Sequence, residues 1–146
     1  MTNSTVISFS DIKAAQPISG WQEFLVEGQG FLHTASAAVE KSRKVFTPEI
    51  LYNIIAMAIE KFVMAALMKH GTMPYNHTMQ DLVEAMDTTF PHAIDELRDG
   101  LLKMGEYQDI CDLDGFRITP PEMEDIPAML AMAHTLKGLV VQKLTT

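Results

Sequence analysis

Glu60 and Lys61 are the first residues to question, because two adjacent charges interrupt the most apolar stretch of the chain, Leu51 to Leu67. An unpaired buried charge is costly, so each needs a partner, an interface or a wet groove. The five histidines are His33, His70, His77, His92 and His134, and no two have the His-Glu-x-x-His spacing of a helical zinc site. There is no Gly-x-Ser-x-Gly turn for a serine nucleophile. Phosphate-cradling Gly-x-x-x-x-Gly-Lys and dinucleotide Gly-x-Gly-x-x-Gly motifs are also missing. Asp112, Asp114 and Gly115 suggest a calcium loop, but an EF-hand with Gly115 at its sixth position would start at Ile110 and end at Pro121, neither of which is a side-chain ligand. Cys111 is the only cysteine, which excludes an intrachain disulfide and a cysteine zinc site and suits a reducing cytoplasm. No metal and no cofactor is expected.

The elements that position these residues read as helices. The chain has 146 residues, 47% of them hydrophobic and 21% charged, the make-up of one globular domain. Residues 1–19 are rich in Ser, Thr and Asn and are expected to form a loosely ordered arm; 20–146 are expected to be one domain. A first helix is predicted from Trp21 to Val45 with a break near Gly28 and Gly30, its stripe made by Phe31, Leu32, Ala35, Ala38, Val39 and Ser42. A second starts at Thr47 as N-cap with Pro48 at the first helical position, and stops at Gly71. It is apolar over most of its girth, which marks it as central. A third begins at Thr78, with Asp81 as capping partner and Leu82, Val83, Ala85 and Met86 as its core face. A fourth spans Ile94 to Gly105. A fifth lies within 121–144, starting from a Thr119–Glu122 capping box or reset by Pro127 to about Asp125. Met57, Met64, Met86 and Met129 fall in these segments and are expected to fill the core. No strand hairpin is evident, so the class is all-α, about five helices in an up-and-down bundle.

Charge narrows the partners. The net charge is −8, and residues 74–146 hold thirteen acidic against five basic groups. Such a half repels a phosphate backbone, so duplex DNA is not an expected partner. The start shows no signal-peptide pattern, and no run reaches the roughly 18 apolar residues of a membrane span, so neither secretion nor a membrane is expected.

Residues 56–83 resemble the HEPN domain family, in which a central helix with an Ala-x-x-Glu-Lys-like core leads through a Gly and a short turn to a His opening the next helix. Glu60, Lys61, Ala65, Leu67, Gly71, His77 and Leu82 match that layout, and the helix order extends it over about 31–144. The resemblance implies a helical bundle, a homodimer, and links to nucleotides, RNA or a partner nucleotidyltransferase in prokaryotic toxin–antitoxin or defence systems. Two positions depart. A second lysine, common four residues beyond the Glu, is Met64, and none of Arg43, Arg98 or Arg117 has a His four to six residues later, as the ribonuclease members do. The expectation is therefore a non-catalytic binding module rather than a ribonuclease. Its groove would contain Glu60, Lys61, Lys69, His77 and Arg117. The lysines and arginine would meet phosphate oxygens, His77 would make a pH-sensitive hydrogen bond, and Glu60 would orient Lys61 or accept from a ribose hydroxyl.

A competing resemblance lies near the end. His134, Leu136, Lys137 and Gly138 look like the His-x-Leu-Lys-Gly phosphoacceptor motif of histidine phosphotransfer domains. It implies that His134 accepts a phosphoryl group, Lys137 screens its charge, and Gly138 leaves room for a receiver domain. His134, Gly138, Ala131 and Pro127 share one flank of the helix. In that family further helices follow the histidine helix, whereas eight residues follow Gly138 here.

Overall fold

The computed structural model describes residues 16–108 and 120–146, and every regular element among them is helical. Five α-helices form a bundle: α1 (Trp21–Glu40), α2 (Pro48–Lys69), α3 (Met79–Thr89), α4 (Arg98–Gly105) and α5 (Ile126–Leu139). A π turn, Val140–Leu144, extends α5, and short 3₁₀ turns occupy Glu106–Gln108 and Met123–Asp125.

α2 begins and ends where local chemistry demands. The Thr47 side chain accepts from the Ile50 N–H, and Pro48 occupies the first turn, where its missing N–H costs nothing. At the other end Gly71 adopts φ +76°, the Gly71 N–H donates to the Met68 carbonyl at 3.0 Å, and the Thr72 N–H donates to that of Leu67 at 2.9 Å. That is a Schellman cap. α2 is central: thirteen of its residues are buried, including Phe62 and the run Val63–Met68. Although Glu60 and Lys61 interrupt its apolar run, its length and mean hydropathy would suit a membrane span, but 67% of that window is buried inside the bundle.

α1 differs from expectation in two ways. It ends at Glu40, not Val45, because Ser42 takes the left-handed conformation (φ +49°) and closes the same Schellman pattern, Arg43 N–H to Ala38 O and Ser42 N–H to Val39 O. Ser42 thus leaves the apolar stripe and is exposed. Nor does the helix break at its glycines. Gly28 is buried against α2, where an added Cβ would lie 2.9 Å from two ring carbons of Phe62, so the glycine permits close approach. Gly30 meets open space. Before α1, the Ile18 N–H donates to the Met68 carbonyl at 2.7 Å, so the end of the expected arm is docked; residues 1–15 lie outside the described residues.

Contacts set the helix directions. Trp21 meets Lys69 and Glu27 meets Lys61, so α1 and α2 are antiparallel. Asp87 meets Arg98 and Met79 meets Gly105, so α3 and α4 are antiparallel as well. The α2–α3 step differs from strict up-and-down order. His77 reaches back to Glu60, while Phe90 packs edge-on against His70 with ring centroids 4.6 Å apart. α3 therefore runs beside the second half of α2 in the same sense. The returning loop can do this because ten helical residues cover only about 15 Å, while seven extended ones reach about 23 Å.

The fourth helix starts later than expected, and the fifth takes the later of its two expected starts. Turns occupy Pro91–Leu97, with His92 at φ +68°, so α4 begins at Arg98 although Ile94 is buried. α5 uses the later start: the Glu122 N–H donates to Asp125 Oδ2 at 2.8 Å in a capping box, and the helix opens at Ile126 with Pro127 in its first turn. Thr119 lies outside the described residues. Ile126, Met129, Ala133, Leu136 and Val140, spaced three and four apart on one face, are buried. Met64, Met86 and Met129 are core residues, but Met57 is 42% exposed. Tyr52 ties α2 to α4: its buried hydroxyl donates to the Met104 carbonyl at 2.8 Å. Burial, then the nearby Tyr107 phenol, push the Tyr52 hydroxyl above its ordinary range.

Candidate functional site

Adjacent helical positions point about 100° apart, so Glu60 and Lys61 turn to different neighbours. Lys61 turns to α1, where its Nζ is 3.0 Å from Glu27 Oε2 and 4.3 Å from the Phe24 ring centroid. Its aliphatic stem packs while its charge stays at the rim, which removes the burial penalty. Lys69 also faces α1, with Nζ 5.5 Å from the Trp21 ring centroid. Glu60 faces the other way, and its Oε1 is 2.6 Å from His77 Nδ1. Nine residues are two and a half turns, so Glu60 and Lys69 lie on roughly opposite sides of α2.

The structure thus divides the residues expected to share one groove. Lys61 and Lys69 join Trp21, Phe24 and Glu27 on the α1 side; Glu60 and His77 form a separate corner with the α2–α3 loop. Arg117 lies outside the described residues, as do Asp112, Asp114 and Gly115. Among the described residues no group of three or more His, Cys, Asp or Glu side chains is arranged to hold a metal. No charged residue among them is buried.

The Glu60–His77 contact fixes a loop. His77 immediately precedes Thr78, whose Oγ1 accepts from the Asp81 N–H at 3.1 Å and caps α3. At the loop's other end Thr72 Oγ1 donates to the Leu67 carbonyl and lies 3.2 Å from Thr89 Oγ1. Between these anchors stand Met73, 54% exposed, and Tyr75, 92% exposed. The loop and α3 enclose an open groove of about 510 Å³, lined by those two residues with Asp81 and Glu84 among others. Asp81 and Glu84, three residues apart in a helix with no basic residue, were the sequence signal for this surface. The exposure of Tyr75 had no local signal.

Arg98 is committed elsewhere. Its Nε donates to Asp87 Oδ2 at 2.9 Å, and Nη2 donates to Asp87 Oδ1 and, at 2.7 Å, to Asp95 Oδ1. His92 Nδ1 lies 3.0 Å from Asp95 Oδ2. Arg98's hydrogen bond, then that of His92, hold the Asp95 carboxyl below its ordinary range. Glu122 is shifted upward, chiefly by a hydrogen bond with Glu124 and then by the charges of Glu124 and Asp125.

His134 is exposed on α5, with Nε2 2.9 Å from Ser36 Oγ on α1. One turn on, a Cβ at Gly138 would meet nothing within 4 Å. Pro127 and Ala131, on the same flank, are exposed, while Leu136 is buried and Lys137 half-buried.

No family model, curated protein or solved structure matches the chain.

Proposed function

We propose that the chain is a non-catalytic, HEPN-like interaction module whose working surface is the Glu60–His77 corner and the loop it secures. The partner implied by the resemblance is a nucleotidyltransferase of a prokaryotic toxin–antitoxin or defence pair, with the module itself a homodimer. The observation that carries this reading is the 2.6 Å contact between Glu60 and His77, which fastens an exposed aromatic loop to the central helix. A second supports protein over nucleotide or RNA: Lys61 is ion-paired with Glu27, and Lys69 lies over Trp21 on a different side of α2. Phosphate oxygens at this corner would face carboxylates rather than a cationic cradle.

The test is co-expression with the product of the adjacent gene, followed by light scattering and titration. The expected result is a complex that His77→Ala or Glu60→Ala weakens, with no cleavage of single-stranded RNA. RNA cleavage lost in His77→Ala, or nucleotide binding lost in Lys61→Ala without any protein complex, would overturn the reading.

The exposed His134 beside open space at Gly138 favours a second reading, a phosphotransfer carrier. Incubation with acetyl phosphate would then yield acid-labile phosphohistidine, lost in His134→Gln. Ser36 must release the ring for that chemistry if the reacting atom is Nε2.

A further inference from the structure

We infer that the groove between the α2–α3 loop and α3 seats a basic, apolar-flanked segment of a partner polypeptide. This rests on the interaction-module reading and deepens it by naming the partner's chemistry.

Three features of the groove lead there. The first is the apolar rim. A tyrosine left 92% exposed beside a half-exposed methionine keeps in water the kinds of side chain that anchor protein interfaces. The second is preorganisation. His77 bonded to Glu60 pins one end of the loop, Thr72 bonded to the Leu67 carbonyl and close to Thr89 pins the other, and Pro74 stiffens the centre. Met73 and Tyr75 are thus presented without a large ordering cost on binding. The third is charge. Asp81 already accepts from the Thr78 hydroxyl at 3.0 Å, but Glu84 is exposed and has no hydrogen bond or ion pair among the described residues.

These features select the occupant. A surface of one negative sign attracts a cation and repels phosphodiesters. A bare cation would leave Met73 and Tyr75 unused; an apolar ligand would leave Glu84 unpaired. A polypeptide carrying arginine or lysine next to a leucine-like side chain satisfies both. The volume of about 510 Å³ lies within the range of ligand-sized sites, ~300–1,000 Å³.

The experiment is an NMR titration of the ¹⁵N-labelled chain with a capped hexapeptide alternating arginine and leucine. Glutamate–leucine and arginine–serine hexapeptides and a uridine oligonucleotide serve as counter-probes. The arginine–leucine peptide is expected to shift the amides of Met73, Tyr75 and Glu84. Tyr75→Ala is expected to weaken it about tenfold and Glu84→Gln about three- to fivefold. Glu49→Gln, which removes the same charge from the start of α2, is expected to leave the affinity unchanged. Equal binding of the arginine–serine or glutamate–leucine peptide, unchanged affinity in Tyr75→Ala, or equal losses in Glu84→Gln and Glu49→Gln would each overturn the inference. If the peptide leaves the groove untouched while the adjacent gene product still binds in a His77-dependent way, the inference fails and the module reading stands. If the oligonucleotide instead shifts Lys61 and Lys69 and no protein complex forms, both fail.

Discussion

The two flanks of α2 are built differently. Toward α1 the helix is sealed: Gly28 brings the backbones close, Phe62 fills the contact, and Lys61 and Lys69 are held over aromatic rings. Toward the α2–α3 loop it is open: a carboxylate–imidazole bond at one end and the Thr72 hydroxyl at the other hold a segment that displays Met73 and Tyr75 to solvent. The sealed flank supplies stability, since its contacts are apolar and desolvated. The open flank supplies a surface, since its polar contacts position atoms without contributing much energy.

That division is exposed most sharply by Phe62→Ala. The ring is fully buried, so its removal is expected to cost about 3–5 kcal/mol in urea-induced unfolding. Gly28→Ala and Gly30→Ala form the next test, because both substitutions improve intrinsic helix propensity by about 1 kcal/mol. At Gly28 the new methyl would press on a ring that has nowhere to move, for a net loss of about 1–2 kcal/mol. At Gly30 it meets open space, so thermal denaturation is expected to show a gain of about 0.5–1 kcal/mol. Equal effects at the two sites would erase the distinction between a sealing glycine and a tolerated one.

On the open flank, Glu60→Gln is expected to change global stability by less than about 1 kcal/mol, because both partners are partly exposed. The same change is expected to speed hydrogen exchange across residues 73–77, the part of the loop nearest that bond. Loss of global stability comparable to that of Phe62→Ala would make the corner structural. The smallest effect is expected at Asp95, beyond the groove. Its carboxyl falls below the ordinary range on folding, so its contribution is present above the unfolded carboxylate value of about 3.9 and is lost as pH drops through the lowered folded value. The stabilities of the wild type and Asp95→Asn are expected to differ at neutral pH and to converge in acid.

Local rules made much of this legible. Thr47 and Pro48 mark the start of α2, Gly71 its end and Thr78 the start of α3, because caps and left-handed turns act within four residues. The end of α1 was hidden because Ser42, not glycine, takes the left-handed position. Glu60 and His77 were legible as chemistry, but their pairing was not: they stand seventeen residues apart, joined by a loop whose path follows no periodic pattern. Lys61 and Lys69 were visible as cations, and only α1 packing decided that Glu27 and two aromatic rings would take them up.

The amino-acid sequence by itself determined an all-helical chain, a central apolar helix, most helix starts and an acidic second half. Those properties follow from side-chain period, capping chemistry and charge, each a short-range quantity. The tertiary structure decided that α3 would run alongside α2 rather than against it, that Glu60 and Lys61 would serve different flanks, and that Tyr75 would stand exposed over an acidic groove. These depend on which surfaces are left over once the apolar faces have packed, a property of the whole chain at once.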